Sequence, residues 1–439
     1  MKDMTSGNIP KHLVSYALPL ILGNFFQLTY NAVDSIILGR FSGKEALAAV
    51  GIANPVMNIL IFFIVGICIG SGILMSEFYG AKENDKLKKE ISTTIACGFI
   101  FTVFVSIVCY LLIVPLLRLI RTPSELILPT SKYLRIVILG LVFTFFYNVF
   151  GSTLRAVGDS RTPIICVAVS AVLNGILDYI LVAKLKLEMQ GAAIATVASQ
   201  AFSCFLIVGY VYLKEPLLAV KPKEFKIDKS LVARTLNYSW ATALQQVVLY
   251  VGKLMIQSAV NPLGTDAIAA FNAGTKIDDF CYQPTQSIGH TITTFIAQNR
   301  GAGNVKREKS GFKWGLLLEY VYALIISTTV LIFRRELITL FAGHSETSVI
   351  QMGIRYLLIM ASLYFMPATT NGVQAFFRGT GKMQITVVAT TSQIVFRVLF
   401  SYILAFRFGT SGVAWACFFG WLAMLIYEIP VLFSHWKKI

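Results

Sequence analysis

Charged residues are scarce in this chain of 439 residues, of which they make up only 14%. Soluble proteins contain about 25% charged residues. Apolar residues reach 56%, and the mean hydropathy is +0.70. A water-soluble fold, a disordered chain and a secreted disulfide scaffold are excluded by this composition. Helices solvated by lipid are the remaining class, each needing about 20 apolar residues.

The sequence also lacks the short motifs of common catalytic sites. It has no G-x-x-x-x-G-K-[ST] loop for a nucleotide, no H-E-x-x-H among its four histidines, no C-x-x-C among its seven cysteines and no G-x-S-x-G elbow. These patterns place phosphate ligands, metal ligands or a nucleophile at a workable spacing. We therefore expect neither an enzyme nor a cofactor, and the cysteines are expected to act as small buried apolar residues.

Twelve apolar segments are long enough to span a membrane as helices. They run continuously apolar, whereas transmembrane strands alternate apolar and polar residues. The segments are 13–38, 52–76, 91–117, 131–152, 163–183, 191–213, 237–260, 267–298, 312–333, 352–376, 384–406 and 412–433. The predicted fold class is an all-α integral membrane protein with twelve transmembrane helices.

The net charge of +16 is explained by membrane topology. With the N-terminus in the cytoplasm, most basic residues fall in cytoplasmic loops and tails, as the positive-inside rule requires. This pattern predicts a multi-pass protein of the cell (inner) membrane with both termini cytoplasmic. Basic loops also interact with anionic lipid at the membrane surface. The positive charge therefore does not require nucleic-acid binding.

An internal duplication divides the chain. At a shift of 221 residues, Tyr79-Gly80-Ala81-Lys82 aligns with Arg300-Gly301-Ala302-Gly303, and at a shift of 223, Leu154–Gly158 aligns with Phe377–Gly381. The sequence thus predicts an N-lobe (1–213), a cytoplasmic linker (214–236) and a C-lobe (237–439). Because each half has an even number of spans, we expect a parallel repeat with a pseudo-twofold axis along the membrane normal.

Acidic side chains inside the apolar segments are the first functional candidates, because charge in the bilayer is costly. Asp34, Asp178 and Thr196 are expected at one depth near the outer membrane edge, and Asn174 shares a helix face with Asp178. Two carboxylates, an amide and a hydroxyl form a plausible Na+ site. Close carboxylates also hold a proton readily. The alternative is structural: Asp34 pairs with Arg40, and the others bond nearby backbone.

The second half has no counterpart of these acids, since Met255 replaces Asp34 and Cys417 replaces Thr196 at the same shift. Ion coupling is therefore expected in the N-lobe only. Polar residues of the second half are instead expected to line a substrate cavity: Asp278, Asp279, Gln283, Gln245, Asn371 and Gln374. The alternatives are pairing of the two aspartates with Lys276 or Lys253 and interhelical hydrogen bonding by the amides.

The ordered set of motifs resembles the multidrug and toxic compound extrusion (MATE) family over essentially the whole chain. The motifs are Val33-Asp34-Ser35, Ala46–Gly51, Tyr79–Lys82, Leu154–Asp159, and Asn174 with Asp178 followed by Gly191–Thr196. The resemblance implies export of organic cations, drugs and other amphipathic compounds by an antiporter that uses inward H+ or Na+. It also implies cation-coupling roles for Asp34, Asn174, Asp178 and Thr196.

The sequence departs from part of this family. Some bacterial members carry acidic residues in helices 7 and 10, where this chain has the neutral stretches around Gln245 and Asn371. The chain is more similar to the DinF-type branch. A rival function is a flippase for lipid-linked sugars or lipids, which would be expected to have a strongly basic cavity. We expect a monomer whose partners are small molecules and the lipid bilayer.

Overall fold

The computed structural model describes residues 2–41, 43–120, 122–342 and 347–437, without the side chains of residues 28–48, 222 and 342. These residues form helices and short connections, with no strand among them. The helices are α1 (Ile9–Phe41), α2 (Gly43–Gly80), α3 (Asn84–Leu119), α4 (Ser124–Ala156), α5 (Arg161–Asp178), α6 (Glu188–Lys214), α7 (Lys229–Val260), α8 (Thr265–Gly301), α9 (Val305–Ala342), α10 (Thr347–Leu363), α11 (Phe365–Gly379) and α12 (Met383–Trp436). The predicted all-α membrane fold is confirmed.

Seven helices within the described part are long and apolar enough to cross a membrane, or eight if α10 and α11 are taken as one bent span. The bend between α10 and α11 is 46°. Its cause is Pro367, which has no N–H and whose ring collides with the carbonyl four residues earlier. That carbonyl belongs to Leu363, where α10 ends. A second break lies inside α12 at Gly409, whose φ of 58° separates the two predicted segments.

The chain forms two compact units. The first unit contains Leu18–Ala243 and the short stretch ending at Asp3, and the second unit contains Met4–Ala17 and the chain from Leu244 onward. The linker and the first half of α7 therefore belong to the first unit. The separation falls within α7, between Ala243 and Leu244.

Corresponding helix ends in the two units have the same geometry. After α4, Gly158 has a φ of 86°, and after α11, Gly381 has a φ of 73°. The Gly158 N–H donates to the Arg155 carbonyl, and the Gly381 N–H donates to the Arg378 carbonyl. Glycine is needed here because a side chain disfavours the left-handed conformation. The duplicated sequence thus produces a duplicated local structure.

The first half of α7 is held against α2 by two glycines one helical turn apart. A Cβ atom on Gly66 would lie 2.4 Å from the Ala243 Cα, and one on Gly70 would lie 2.5 Å from the Tyr238 carbonyl oxygen. Ser239 Oγ donates to the Ile67 carbonyl oxygen at 3.1 Å. Small residues at this spacing let helix backbones approach closely in membranes.

The linker is fastened to the start of α3. Ser92 Oγ donates to the Lys226 carbonyl and accepts from the Lys226 N–H, both at 2.9 Å. Thr93 Oγ1 accepts from the Asp228 N–H at 3.1 Å. Hydrogen bonds from Ser230, and then Lys89, hold the pKa of the Asp228 carboxyl below its usual value. The carboxylate of Asp228 caps the beginning of α7.

Replacing Gly70 by alanine is expected to lower the free energy of unfolding by about 1–3 kcal/mol, because the new methyl group collides with backbone that cannot move aside. Gly209→Ala is the matched control, since nothing lies within 4 Å of its Cβ position. It should be neutral or stabilising by up to about 1 kcal/mol. Thermal unfolding in detergent measures both; equal midpoints for the two variants would contradict the close packing of α2 on α7.

Candidate functional site

Three of the four predicted cation-coupling residues meet in the first unit. Asn174 and Asp178 are both 1% exposed. In the amide orientation that satisfies its neighbours, Asn174 Nδ2 donates to Asp178 Oδ2 at 2.7 Å, and its Oδ1 lies 3.2 Å from the Thr196 backbone N. The i,i+4 spacing places both side chains on one face of α5. Thr196 approaches Asn174 from α6 through its backbone N–H.

The backbone changes form directly after Asp178. The α-helix α5 ends at this residue, and Tyr179–Lys184 continue as a π-helix. Such wide turns are rare in proteins, and many of those that exist lie at functional sites. The carboxyl group therefore lies at the junction of two helical forms. Asp34 belongs to α1, but its side chain lies outside the described part of the structure.

A cavity of about 450 Å³ opens in the same unit, between α1, α2, α4, α5 and α6. Asn174 and Thr196 line it. Its wall combines apolar and aromatic side chains with hydroxyl and amide groups. The described lining residues are Gln27, Asn54, Met57, Asn58, Ile61, Phe62, Val65, Tyr133, Val137, Thr144, Tyr147, Asn148, Val167, Ser170, Ala171, Asn174, Thr196, Ser199, Gln200 and Ser203.

Most polar residues of this wall were missed by the sequence analysis, although their spacing contains a signal. Asn54 and Asn58 on α2 are four residues apart, as are Thr144 and Asn148 on α4. On α5 and α6 the same spacing joins three further pairs: Ser170 and Asn174, Thr196 and Gln200, and Ser199 and Ser203. Side chains four apart share a helix face. A polar face on each of several apolar helices indicates a shared cavity.

The charge of this site resides beside the cavity. Among the described lining residues, none carries a charge. Asp178 borders the cavity through Asn174, its hydrogen-bond donor. Thr144 Oγ1 donates to Gln200 Oε1 at 2.9 Å, which ties α4 to α6 across the wall. The arrangement suits an amphipathic ligand on one side of Asn174 and a proton or Na+ on the other.

The polar residues predicted in the second half lie in three separate places. Asp278 is 4% exposed. Its carboxylate accepts hydrogen bonds from Tyr356 at 2.8 Å and Tyr364 at 2.7 Å. The buried guanidinium of Arg397 interacts with it electrostatically. The aspartate is thus compensated by a nearby positive charge.

Asp279, the next residue, points to a different environment. Its carboxylate pairs with Lys253 Nζ at 2.9 Å, and both side chains are about half exposed. Gln283, one turn further along α8, is half-buried. Neighbouring positions on a helix face different directions, so the two aspartates have different hydrogen-bond partners.

The three remaining amides lie in the interior of the second unit. Gln245 Nε2 donates to Gln374 Oε1 and to Thr390 Oγ1, both at 2.9 Å. Asn371 Nδ2 is 2.7 Å from Glu319 Oε1 and equally far from the Thr285 carbonyl oxygen. These contacts join helices, as polar residues often do in membranes. Their contact with substrate stays a prediction.

The sequence model of the MatE family matches this chain twice. The matches cover residues 19–180 and 241–403, so they begin 222 residues apart and end 223 apart. The chain belongs to the MatE family. The double match also has the offset of the internal duplication, and MATE membership, predicted from the motifs, is confirmed.

Curated relatives extend the match along the chain. The probable multidrug resistance protein YoeA of Bacillus subtilis is 30% identical over 375 residues, 83% of this chain and 80% of the relative. The probable multidrug resistance protein YpnP of the same organism is 28% identical over 413 residues, 94% of this chain and 92% of the relative. The protein described here is accordingly a multi-pass membrane transporter of the MATE multidrug-efflux family.

A solved structure has the same fold. A MOP superfamily transporter from Pyrococcus furiosus superposes with a TM-score of 0.91, covering 100% of this chain and 98% of the other. The two sequences are 20% identical. The likeness therefore establishes the architecture, and the chemistry of the site must be argued from this chain's own residues.

The contacts of Asp278 predict a structural contribution. Tyr364→Phe removes a donor from a buried carboxylate and should lower the free energy of unfolding by about 1–3 kcal/mol. Tyr320→Phe is the control, because its hydroxyl bonds Thr369 in an exposed position. Thermal unfolding in detergent compares the two variants. An unchanged midpoint for Tyr364→Phe would show that the hydrogen bond does not stabilise the second unit.

Proposed function

We propose that this protein is a secondary active antiporter. It exports organic cations, drugs or other amphipathic compounds in exchange for inward H+ or Na+ by alternating access. Ion coupling takes place in the first unit, at Asp34, Asn174, Asp178 and Thr196. The protein works as a monomer in the cell (inner) membrane, with both termini in the cytoplasm.

The observation that carries this proposal is the double role of Asn174. It lines the cavity beside Thr196, and its amide donates to Asp178 Oδ2 at 2.7 Å. A ligand in the cavity and an ion at Asp178 therefore contact the same side chain, that of Asn174. The two sites are coupled through that one residue.

Protonation or Na+ binding at Asp178 alters the hydrogen bonding of Asn174. An ionised carboxylate accepts the amide N–H strongly, whereas a protonated or Na+-bound one competes for it less. Freed from Asp178, the Asn174 amide reorients at the cavity wall. Coupling needs such a difference, because a ligand shifts a conformational equilibrium only by its unequal affinity for the two states.

The cavity wall favours amphipathic substrates. Phe62, Tyr133 and Tyr147 offer aromatic surface, and amides and hydroxyls offer hydrogen bonds. A cationic substrate is attracted by ionised Asp178 and released when that charge is neutralised. Lipid-linked sugar carriers are anionic and would need basic contacts, and the described lining residues include none. Drug export is therefore the better supported function.

The test is Asp178→Asn in reconstituted vesicles loaded with an ethidium-like dye. With an imposed pH or Na+ gradient, wild-type protein should export the dye. The export rate of the variant should fall to that of dye-loaded vesicles without protein, because asparagine cannot change charge. Asp85→Asn is the matched control, since this aspartate is exposed at the start of α3. It should export at the wild-type rate.

The two gradients are imposed in turn, so the active one names the coupling ion. Equal concentrative export by Asp178→Asn and wild type would refute the proposed coupling site. Export by wild type without either gradient would refute antiport. Both variants must first reach the membrane at wild-type amounts.

A further inference from the structure

The exposed face of α8 in the second unit is polar. Along this helix, every residue of which the structure describes, Phe280 is the only large apolar side chain that is exposed, at 39%. Six polar residues with exposed or half-buried side chains recur three or four positions apart: Asn272, Lys276, Asp279, Gln283, Gln286 and His290. This spacing places them on one side of the helix. We call them the α8 polar face.

Another helix of the same unit exposes a different kind of surface. On α9, the exposed fractions of Leu324, Ile325 and Ile332 are 58%, 59% and 63%. An apolar face of this kind suits contact with lipid chains. Charged side chains within a membrane face protein or a water-filled cavity instead. We therefore expect the α8 polar face to contact water along a path into the membrane.

A row of polar residues on α7 extends this surface. Gln246, Tyr250, Lys253 and Gln257 are again three or four positions apart, and all are at least partly exposed. The two helices meet where Lys253 Nζ lies 3.0 Å and 2.9 Å from the two carboxylate oxygens of Asp279. The negative charge of the α8 polar face is thus already paired with a lysine.

Lys276 of the α8 polar face lines a second cavity, of about 420 Å³, between α8, α9 and α10. Its ammonium group lies 5.9 Å from the centre of the Phe341 ring, a distance at which the face of an aromatic ring attracts a cation. Asn272, one helical turn before Lys276, adds an amide to the wall. The cavity therefore combines a positive charge, a hydrogen-bonding group and an aromatic surface.

The positive charge of Lys276 distinguishes this cavity from the one beside Asn174. Among the described residues, no carboxylate forms an ion pair with Lys276. Asp266 lines the same cavity, but it precedes Lys276 by ten residues, about 15 Å along the helix axis. Asp279 is paired with Lys253, and Asp278 is bonded by two tyrosine hydroxyls. The cavity is therefore suited to an anionic group.

We propose that this cavity binds the acidic group of an amphipathic aromatic compound. The carboxylate of the compound accepts hydrogen bonds from Lys276 and Asn272, and its aromatic part packs on Phe341. A free acid fits better than a phospholipid, because the adjoining α8 polar face offers acyl chains little apolar surface. As a statement about transport, the proposal rests on the antiport function above, and it widens the exported compounds from organic cations to organic acids and zwitterions.

The test compares two dyes with the same aromatic ring system and opposite charge, fluorescein, an anion, and a rhodamine methyl ester, a cation. Fluorescence anisotropy measures their affinities for the full-length protein in detergent at constant pH. Lys276→Gln should weaken fluorescein binding about ten- to a hundredfold, since it removes a charged hydrogen-bond donor. The same variant should bind the rhodamine ester at least as tightly as wild type, because a repelling charge is gone.

A second variant gives a change of opposite sign. Asp279→Asn should strengthen fluorescein binding, because it removes a negative charge from the α8 polar face and leaves the charge of Lys253 unpaired. Opposite effects of two substitutions on one helix cannot come from a general loss of folding. Lys313→Gln is the matched control, since it removes an exposed lysine from α9 of the same unit. It should leave both affinities unchanged.

Two results would overturn the site. The first is unchanged fluorescein affinity in Lys276→Gln, or an equal loss of affinity for both dyes. The second is displacement of fluorescein by phosphatidylglycerol and not by a soluble aromatic acid such as naphthoate, which would assign the cavity to a lipid headgroup.

Transport is measured separately in loaded vesicles, where wild type should export fluorescein and Lys276→Gln should export it more slowly. Dye binding needs no gradient and no ion coupling. If wild type exports neither dye while fluorescein binding still depends on Lys276, the antiport function is refuted and the binding site is supported.

Discussion

The cost of an uncompensated charge in a lipid-solvated interior governs this structure. Each buried acid needs a donor, a positive partner or a proton. Asp278 has two tyrosine hydroxyls and Arg397. Asp178 has the Asn174 amide, and Glu319 has the Asn371 amide. The number of partners therefore separates Asp278, a structural acid, from Asp178, the acid proposed to change its charge.

The two units use one helical plan for different chemistry. Gly158 and Gly381 end corresponding helices in the same way, and the arginines beside them are also repeated. The acids are not repeated. The first unit combines its acid with a polar cavity, and the second combines its acids with interhelical amides. The two units share their helix arrangement, and different residues inside the helices give each unit its own titratable groups.

The fold and the family could be predicted from sequence because they rest on long-range regularities. Continuous apolar runs indicate spanning helices, and the repeat of Gly80 and Gly301 marks equivalent helix ends. The meeting of Asn174, Asp178 and Thr196 followed from depth along the helices and a four-residue spacing. Asp34 was predicted on the same grounds, and its side chain lies outside the described residues.

Other features depend on contacts that sequence spacing does not encode. Asp278 and Asp279 are adjacent, yet one faces tyrosines and the other faces Lys253. Glu319 and Asn371 are distant in sequence, and only the packing of α9 against α11 brings the Asn371 amide to the Glu319 carboxylate. Their position within apolar segments was visible in the sequence, but their contact was not.

Equilibrium binding tests the central claim most directly, namely that Asp178 and the cavity are linked through Asn174. Affinity for a fluorescent cationic dye is measured on purified protein across pH and Na+ concentration. Wild-type affinity should fall as protons, or Na+, occupy Asp178, since linkage between two ligands is reciprocal. Asp178→Asn should bind dye with an affinity independent of both. The same dependence in wild type and variant would contradict the account.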